Sequence, residues 1–174
     1  MLEDHAKILA VLSSAGEVAG RKKLQKIIYI AKKLNYPFHE KFLFHHYGLY
    51  SEELILRIEE LCNLGFVHER KETINGQHRY CYSLTKDGER FLKHSRLNMP
   101  GIDECLASLN NQDERFLELT AMVVHFDHLE KEEVIQMVTR LKPEFTESEI
   151  KMGFPYFEEL KNIGKDPVSA RDLL

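Results

Sequence analysis

Nine histidines and three cysteines are the side chains of this 174-residue chain best suited to metal or nucleophilic chemistry. His125 and His128 stand at i, i+3 with Asp127 between them, and His45 and His46 are adjacent. A zinc site needs three or four ligands converging within about 2.3 Å. Adjacent strand residues point to opposite faces, so His45 and His46 cannot share one ion. No His-Glu-x-x-His and no Cys-x-x-Cys occurs, and ordinary polar or half-buried histidines are the expectation. Cys62, Cys81 and Cys105 are odd in number and widely spaced, the pattern of free thiols in a reducing cytosol. The run Gly16 to Lys22 has three residues between its glycines where a phosphate loop has four, and no Ser or Thr follows Lys22. It reads as a helix-to-helix turn. The pairs Glu59-Glu60, Glu132-Glu133 and Glu158-Glu159 lie beside apolar stripes; adjacent helical positions diverge by about 100°, so solvated faces explain them better than a carboxylate site. Without a nucleophile elbow or a dinucleotide fingerprint either, the expectation is a protein with no catalytic site, no metal and no cofactor.

Lysines are a different matter. Lys22, Lys23, Lys26 and Lys33 fall in one segment, and Lys22, Lys26 and Lys33 share a face opposite Leu24 and Ile28. A solvated face on a half-buried helix accounts for this pattern, and so does contact with phosphates or with an acidic partner.

The elements that carry these residues follow from periodicity and caps. Leu2, Ala6, Leu9 and Leu12 form a helical stripe ending at Ser13-Ser14-Ala15-Gly16. Leu24, Ile27, Ile28, Ala31 and Leu34 predict a helix over 20–34, broken by Pro37. Phe42-Leu43-Phe44-His45-His46-Tyr47 reads as a short strand that Gly48 ends. Ser51 followed by Glu52 and Glu53 opens a helix that buries Leu54, Ile58 and Leu61 and closes at Gly65. Residues 66–73 and 78–84 flank Asn75-Gly76, a strong hairpin signal, which sets Glu72 opposite Arg79 and Val67 opposite Leu84. Thr85 caps the next helix. Further on, Phe116 to Val124 and Val134 to Leu141 predict helices, and Thr146-Glu147-Ser148-Glu149 is a capping box opening a last one. Pro155 within that last helix predicts a kink or an interruption.

Composition bounds the rest. Hydrophobic residues at 43% and charged residues at 30% describe a chain with a core. A net charge of −4 excludes a polycationic nucleic-acid coat, and no apolar run approaches the roughly 18 residues of a membrane span. The acidic start, Met1 to His5, lacks the features of a signal peptide, and a cytoplasmic location is expected. Charge divides at Asn98-Met99-Pro100-Gly101, a turn signal. Residues 1–98 hold 16 Lys/Arg and 12 Asp/Glu, whereas 99–174 hold 8 and 16, a net of +4 against −8. Two parts are expected: a mildly basic one over 1–98 and an acidic helical one over 99–174, packed on the first.

The stretch from Gly65-Phe66-Val67 to Tyr82-Ser83-Leu84-Thr85-Lys86-Asp87-Gly88 resembles the wing of a winged helix-turn-helix domain, in which the closing strand runs into a Leu-Thr-x-x-Gly helix start. The fold expected is therefore α+β and mostly helical: a winged-helix-like N-terminal part with a β-hairpin wing, followed by a C-terminal helical part. Across the whole chain, Gly20-Arg21-Lys22-Lys23-Leu24-Gln25-Lys26 with Ile28-Tyr29, then Phe44-His45-His46-Tyr47-Gly48 and Tyr50-Ser51-Glu52-Glu53-Leu54, is similar to the YwgA family of bacterial proteins. That resemblance brings no activity with it. More distantly, Lys23 to Tyr29 followed by Tyr47-Gly48 looks like the Panacea, or SocA-like, antitoxin domain, with Leu49 where that motif continues in proline. This second likeness implies action by binding a protein partner rather than by catalysis.

Two function classes lead, with an uncharacterised metal-dependent enzyme well behind both. In a winged-helix DNA reader the helix before the wing enters the major groove. Here that helix carries Glu52, Glu53, Glu59 and Glu60 against Arg57 alone, and a duplex repels it. DNA affinity is expected to be weak, non-specific and carried by Lys22, Lys23, Lys26 and Lys33. The reading placed first is a non-catalytic protein-interaction module, antitoxin- or adaptor-like, with a homodimer as a further possibility. Its surface is expected around Phe44, His46, Tyr47, Tyr50 and the basic helix, since aromatics beside Lys and Arg are typical of interface hot spots. Phe44 and Tyr47 also fit a core role, which for Phe44 is the favoured reading. Tyr50 and Lys26 are expected at the surface.

Overall fold

Four helices begin where a side-chain oxygen meets a backbone N–H three residues on. Ser51 accepts from Leu54, Thr85 from Gly88, Asp113 from Phe116 and Thr146 from Glu149, and the Glu149 carboxylate reaches back to the Thr146 N–H. The structure, a computed structural model, describes residues 2–45 and 48–163. Its elements run α1 (Leu2–Ala15), β1 (Glu17–Ala19), α2 (Arg21–Lys33), β2 (Leu43–His45), β3 (Gly48–Tyr50), α3 (Glu52–Asn63), β4 (Val67–Ile74), β5 (Gln77–Leu84), α4 (Lys86–Lys93), α5 (Ile102–Asn110), α6 (Glu114–His125), α7 (Lys131–Leu141) and α8 (Glu147–Asn162). The class is α+β and mostly helical, as the patterning predicts.

The hairpin forms in the expected register. Glu72 pairs with Arg79 and Val67 with Leu84, and Asn75 and Gly76 take φ of 51° and 77°, the left-handed pair of a type I′ turn. Arg79 Nε donates to Glu72 Oε2 at 2.7 Å. Past the hairpin, a Cβ on Gly88 would lie 2.1 Å from the Phe66 carbonyl oxygen, so only glycine allows α4 to start against β4.

Four expectations are corrected. The segment after Gly16 is not a plain turn between helices: Glu17–Ala19 forms β1, antiparallel to β5, giving a sheet of order β1-β5-β4. Three residues are too few for periodicity to reveal; their strand state comes from the ladder supplied by β5. The aromatic run is not one strand ended by Gly48. It is the start of a second antiparallel pair, β2 with β3, in which Gly48 opens the returning strand. Helix α5 has no counterpart in the sequence reading, because its stripe of Ile102, Cys105, Leu106 and Leu109 is short. Finally, of the kink or interruption expected at Pro155 the interruption does not occur: α8 is continuous from Glu147 to Asn162, begun by the capping box and held by burial of Ile150, Phe157 and Leu160.

One apolar cluster joins Leu9 and Leu12 of α1, Leu24, Ile27 and Ile28 of α2 and Leu54 of α3 to Leu106 and Leu109 of α5, Leu117 and Val124 of α6 and Leu160 of α8. A second cluster, with Met122, Val134, Val138 and Ile150, binds α6 to α7 and α8. Each of these side chains contributes about 1.5–3 kcal/mol when fully buried. Residues on both sides of Asn98 thus share one core.

Candidate interaction surface

Helix α2 runs through the middle of the larger cluster, and every residue from Leu24 to Ala31 is buried. Three of them are polar, and each has a defined task. The Gln25 side chain makes a reciprocal pair with the Ser51 backbone, Nε2 donating to Ser51 O and Oε1 accepting from Ser51 N–H, both at 2.9 Å. Lys26 Nζ donates to the Leu49 carbonyl at 3.1 Å. Tyr29 shares a hydrogen bond of 3.1 Å with His125 Nδ1 on α6. One turn on, Lys32 Nζ donates to the Glu40 carbonyl at 2.6 Å. Polar side chains of α2 therefore grip the backbone on both sides of the β2–β3 pair.

Lys26 is 3% exposed. Burial holds its ammonium below the usual lysine range, while the carboxylates of Glu118 and Glu114 on α6 oppose that shift. Glu118 itself pairs with Lys142 at 3.0 Å. Gly48 lies in this crowded corner at φ 92°, and a Cβ there would come within 3.2 Å of Glu118 Oε1. Both the dihedral and the approach call for glycine.

An aromatic layer sits over the polar one. Phe42 meets Tyr29 edge-on at 5.2 Å and Phe44 stacks on His125 at 6.1 Å, while the Lys33 ammonium lies 5.9 Å from the Tyr29 ring centre. Burial raises the Tyr29 hydroxyl above the ordinary phenol range. It lowers His125, with Lys33 and His128 adding to the effect and Asp127 opposing it. Outermost, Leu43 is 64% and Phe44 40% exposed, and Leu43 pairs across the strands with half-buried Tyr50.

Two expectations about residues are overturned here. Lys26 is not on a solvated face, because β3 and α6 both cover that side of α2. Phe44 is not core: its ring stacks on His125 yet stays 40% exposed, on a strand that pairs with β3 alone among the described residues. Lys33 and Phe44 both lie by the Tyr29–His125 pair, whereas Tyr50 pairs with Leu43 on the other face of the strands. His46 and Tyr47 lie outside the described residues. Lys22 is exposed and Lys23, half-buried, donates to the Asn110 carbonyl at 2.7 Å. They stand at the far end of α2, about 16 Å along its axis from Lys33, so the four lysines do not form one patch. Glu118 matters here and carries no sequence signal, and Gln25 and His125, noticed only as a motif position and a candidate ligand, gain their tasks from partners that local spacing does not reveal.

The wider molecule offers little for covalent chemistry. Among the described residues no group of three or more His, Cys, Asp or Glu could hold a metal ion. Burial raises all three thiols, Cys105 to about 12, away from the thiolate form a nucleophile needs. No helix among the described residues is long and apolar enough to cross a membrane.

Comparison with known proteins bears on the motif residues. The YwgA protein of Bacillus subtilis (strain 168), described as uncharacterized, is 52% identical over 165 residues, which span 94% of this chain and 99% of that relative. The chain belongs to the YwgA family. No protein-family model and no solved structure matches it. In this YwgA-family chain the segment Lys23 to Tyr29 and the following Gly48 explain themselves structurally: they seat the β2–β3 pair on α2 and leave Leu43 and Phe44 outward.

Proposed function

We propose that this protein is a non-catalytic cytoplasmic interaction module, adaptor- or antitoxin-like, which binds a protein partner through the corner formed by β2, β3 and the C-terminal end of α2. The observation that carries this reading is the exposure of Leu43 and Phe44 at successive, oppositely facing positions of β2, whose partner strand β3 is anchored by the buried Lys26 and Gln25 contacts to Leu49 and Ser51. Apolar side chains held on an anchored strand pair, Phe44 against His125 and Leu43 opposite Tyr50, have the character of interface anchors, since little ordering entropy is lost when they bind. The test is capture from a native cell extract with wild type, Leu43→Asp and Phe44→Asp. Loss of one specific protein by both variants, with Tm unchanged, supports the reading. Recovery of nucleic acid alone, or of the same proteins by all three forms, overturns it.

A winged-helix DNA-binding protein is the second reading. The sheet order β1-β5-β4, with α2 and α3 between β1 and β4 and the β4–β5 hairpin as the wing, supports its fold. Its readout is poorly supported. Glu52, Glu59 and Glu60 are exposed on α3, and Arg57 is bound to the buried Glu40 at 2.6 Å and to Asp4 at 3.4 Å. A helix presenting carboxylates and withholding its arginine repels phosphate.

A further inference from the structure

We propose that the outer edge of β5 is a second docking site, which takes an extended acidic peptide segment of another protein as an added strand. Strand β1 covers only Cys81, Tyr82 and Ser83 of β5. Gly20 N–H still reaches the Tyr80 carbonyl at 2.9 Å, and then α2 carries the chain away. From Gln77 to Arg79 the edge has no strand beside it among the described residues. Ile74 and Gln77 close the two-residue turn as a hydrogen-bonded pair. By alternation His78 turns its N–H and C=O away from β4, toward the uncovered side.

A groove of about 750 Å3 runs there, touching Gln77, His78, Arg79 and Tyr80 in succession. Successive strand residues point to opposite faces, so a groove that meets four in a row follows the edge and does not lie over a face. Its far wall is the start of α2, with Arg21 and Lys22, and Glu114 of α6. Arg21, Lys22 and Arg79 line the groove with Glu114 as its one carboxylate, and Arg21 and Arg79 are held from β4 by Glu69 at 3.4 Å and Glu72 at 2.7 Å; the groove wall itself presents cationic groups, which favours acidic side chains. Arg21 is fixed there by a 2.7 Å bond to Tyr82 Oη and lies 4.6 Å from the Tyr80 ring centre. The hydrogen-bonding pattern decides between classes of partner. An outward N–H and C=O on one strand residue match a peptide backbone, whereas a phosphodiester chain has no donor to return. Strand addition with charged side chains reading the walls is an established mode of peptide recognition.

The site is independent of the β2–β3 corner, and the experiment keeps them apart. The probe is an acetylated, amidated heptapeptide alternating threonine and glutamate, titrated into the 15N-labelled full chain. Amide shifts at residues 20–22 and 77–80, and no binding by the threonine–lysine counterpart, are expected. Lys22→Glu combined with Arg79→Glu should weaken the peptide about tenfold or more. His78→Pro should abolish binding while cross-strand contacts between β4 and β5 persist, because the N–H it removes is not used by β4. Phe44→Asp should leave the affinity unchanged. Absence of shifts at millimolar peptide, shifts confined to the β2–β3 corner, loss of binding in Phe44→Asp, or tighter binding of duplex DNA to the same amides would each overturn the proposal.

Discussion

Lys26 shows how a charged residue can belong to the interior. Its ammonium donates to the Leu49 carbonyl with the Glu118 and Glu114 carboxylates acting on it, and burial disfavours its charge. Lys26→Glu places a second carboxylate beside Glu118 and leaves the Leu49 carbonyl without its donor. The expected loss is about 3–5 kcal/mol in urea unfolding, with Lys26→Met distinctly milder because it leaves no buried charge. His125 gives a pH dependence of known sign. Its folded form resists protonation, so below about pH 6.5 the unfolded chain takes up a proton that the folded chain refuses. The stability present above that pH is lost as pH falls toward the depressed folded value. Urea midpoints at pH 7.5 and 5.5 should therefore differ less in His125→Phe than in the wild type.

Between elements, close approach and buried polar pairing do more than propensity. Gln25 is the joint between α2 and the start of α3, and its removal takes the acceptor from the N–H of fully buried Ser51 and leaves its carbonyl with the long 3.4 Å bond from Ile55 N–H. Gln25→Leu should lose on the order of 3 kcal/mol by chemical denaturation. The joint of β4 with α4 depends on a missing atom instead. Gly88→Ala should cost about 1–3 kcal/mol or more, read as a drop in Tm, since the Phe66 carbonyl is backbone at the entry to β4, bound by Thr85 N–H at 3.1 Å, and cannot yield as a flexible side chain does.

For the molecule as a whole, the charge boundary at Asn98 does not divide the core. Leu106, Leu109, Leu117 and Val124 pack in the same cluster as Leu9, Leu24 and Ile28. A fragment of residues 1–98 would leave those faces of α1 and α2 in water. It is expected to show no cooperative thermal transition, while full-length protein shows one, by circular dichroism and calorimetry. The acids of the C-terminal part are mostly placed outward, as at Glu132, Glu133, Glu158 and Glu159; Glu118, beside Lys26, is turned inward.

Local chemistry written in consecutive residues was legible from the sequence alone. The Asn75-Gly76 turn and its register, the caps at Ser51, Thr85 and Thr146, the left-handed Gly65 and the α+β class all depend on neighbours within a few positions. The family motif was legible too, as a pattern of residues. What those residues do was decided by packing. Lys26 reads as solvated because helical periodicity knows only one apolar stripe, whereas α2 is covered on several sides by elements distant in sequence. Phe44 reads as core because aromatic character does not say whether anything covers the strand. Strand β1 exists because β5, more than sixty residues later, offers it hydrogen bonds, and His125 meets Tyr29 across ninety-six residues. Contacts of that separation are set by how helices and sheets close around a shared core, which a reading confined to local spacing cannot supply.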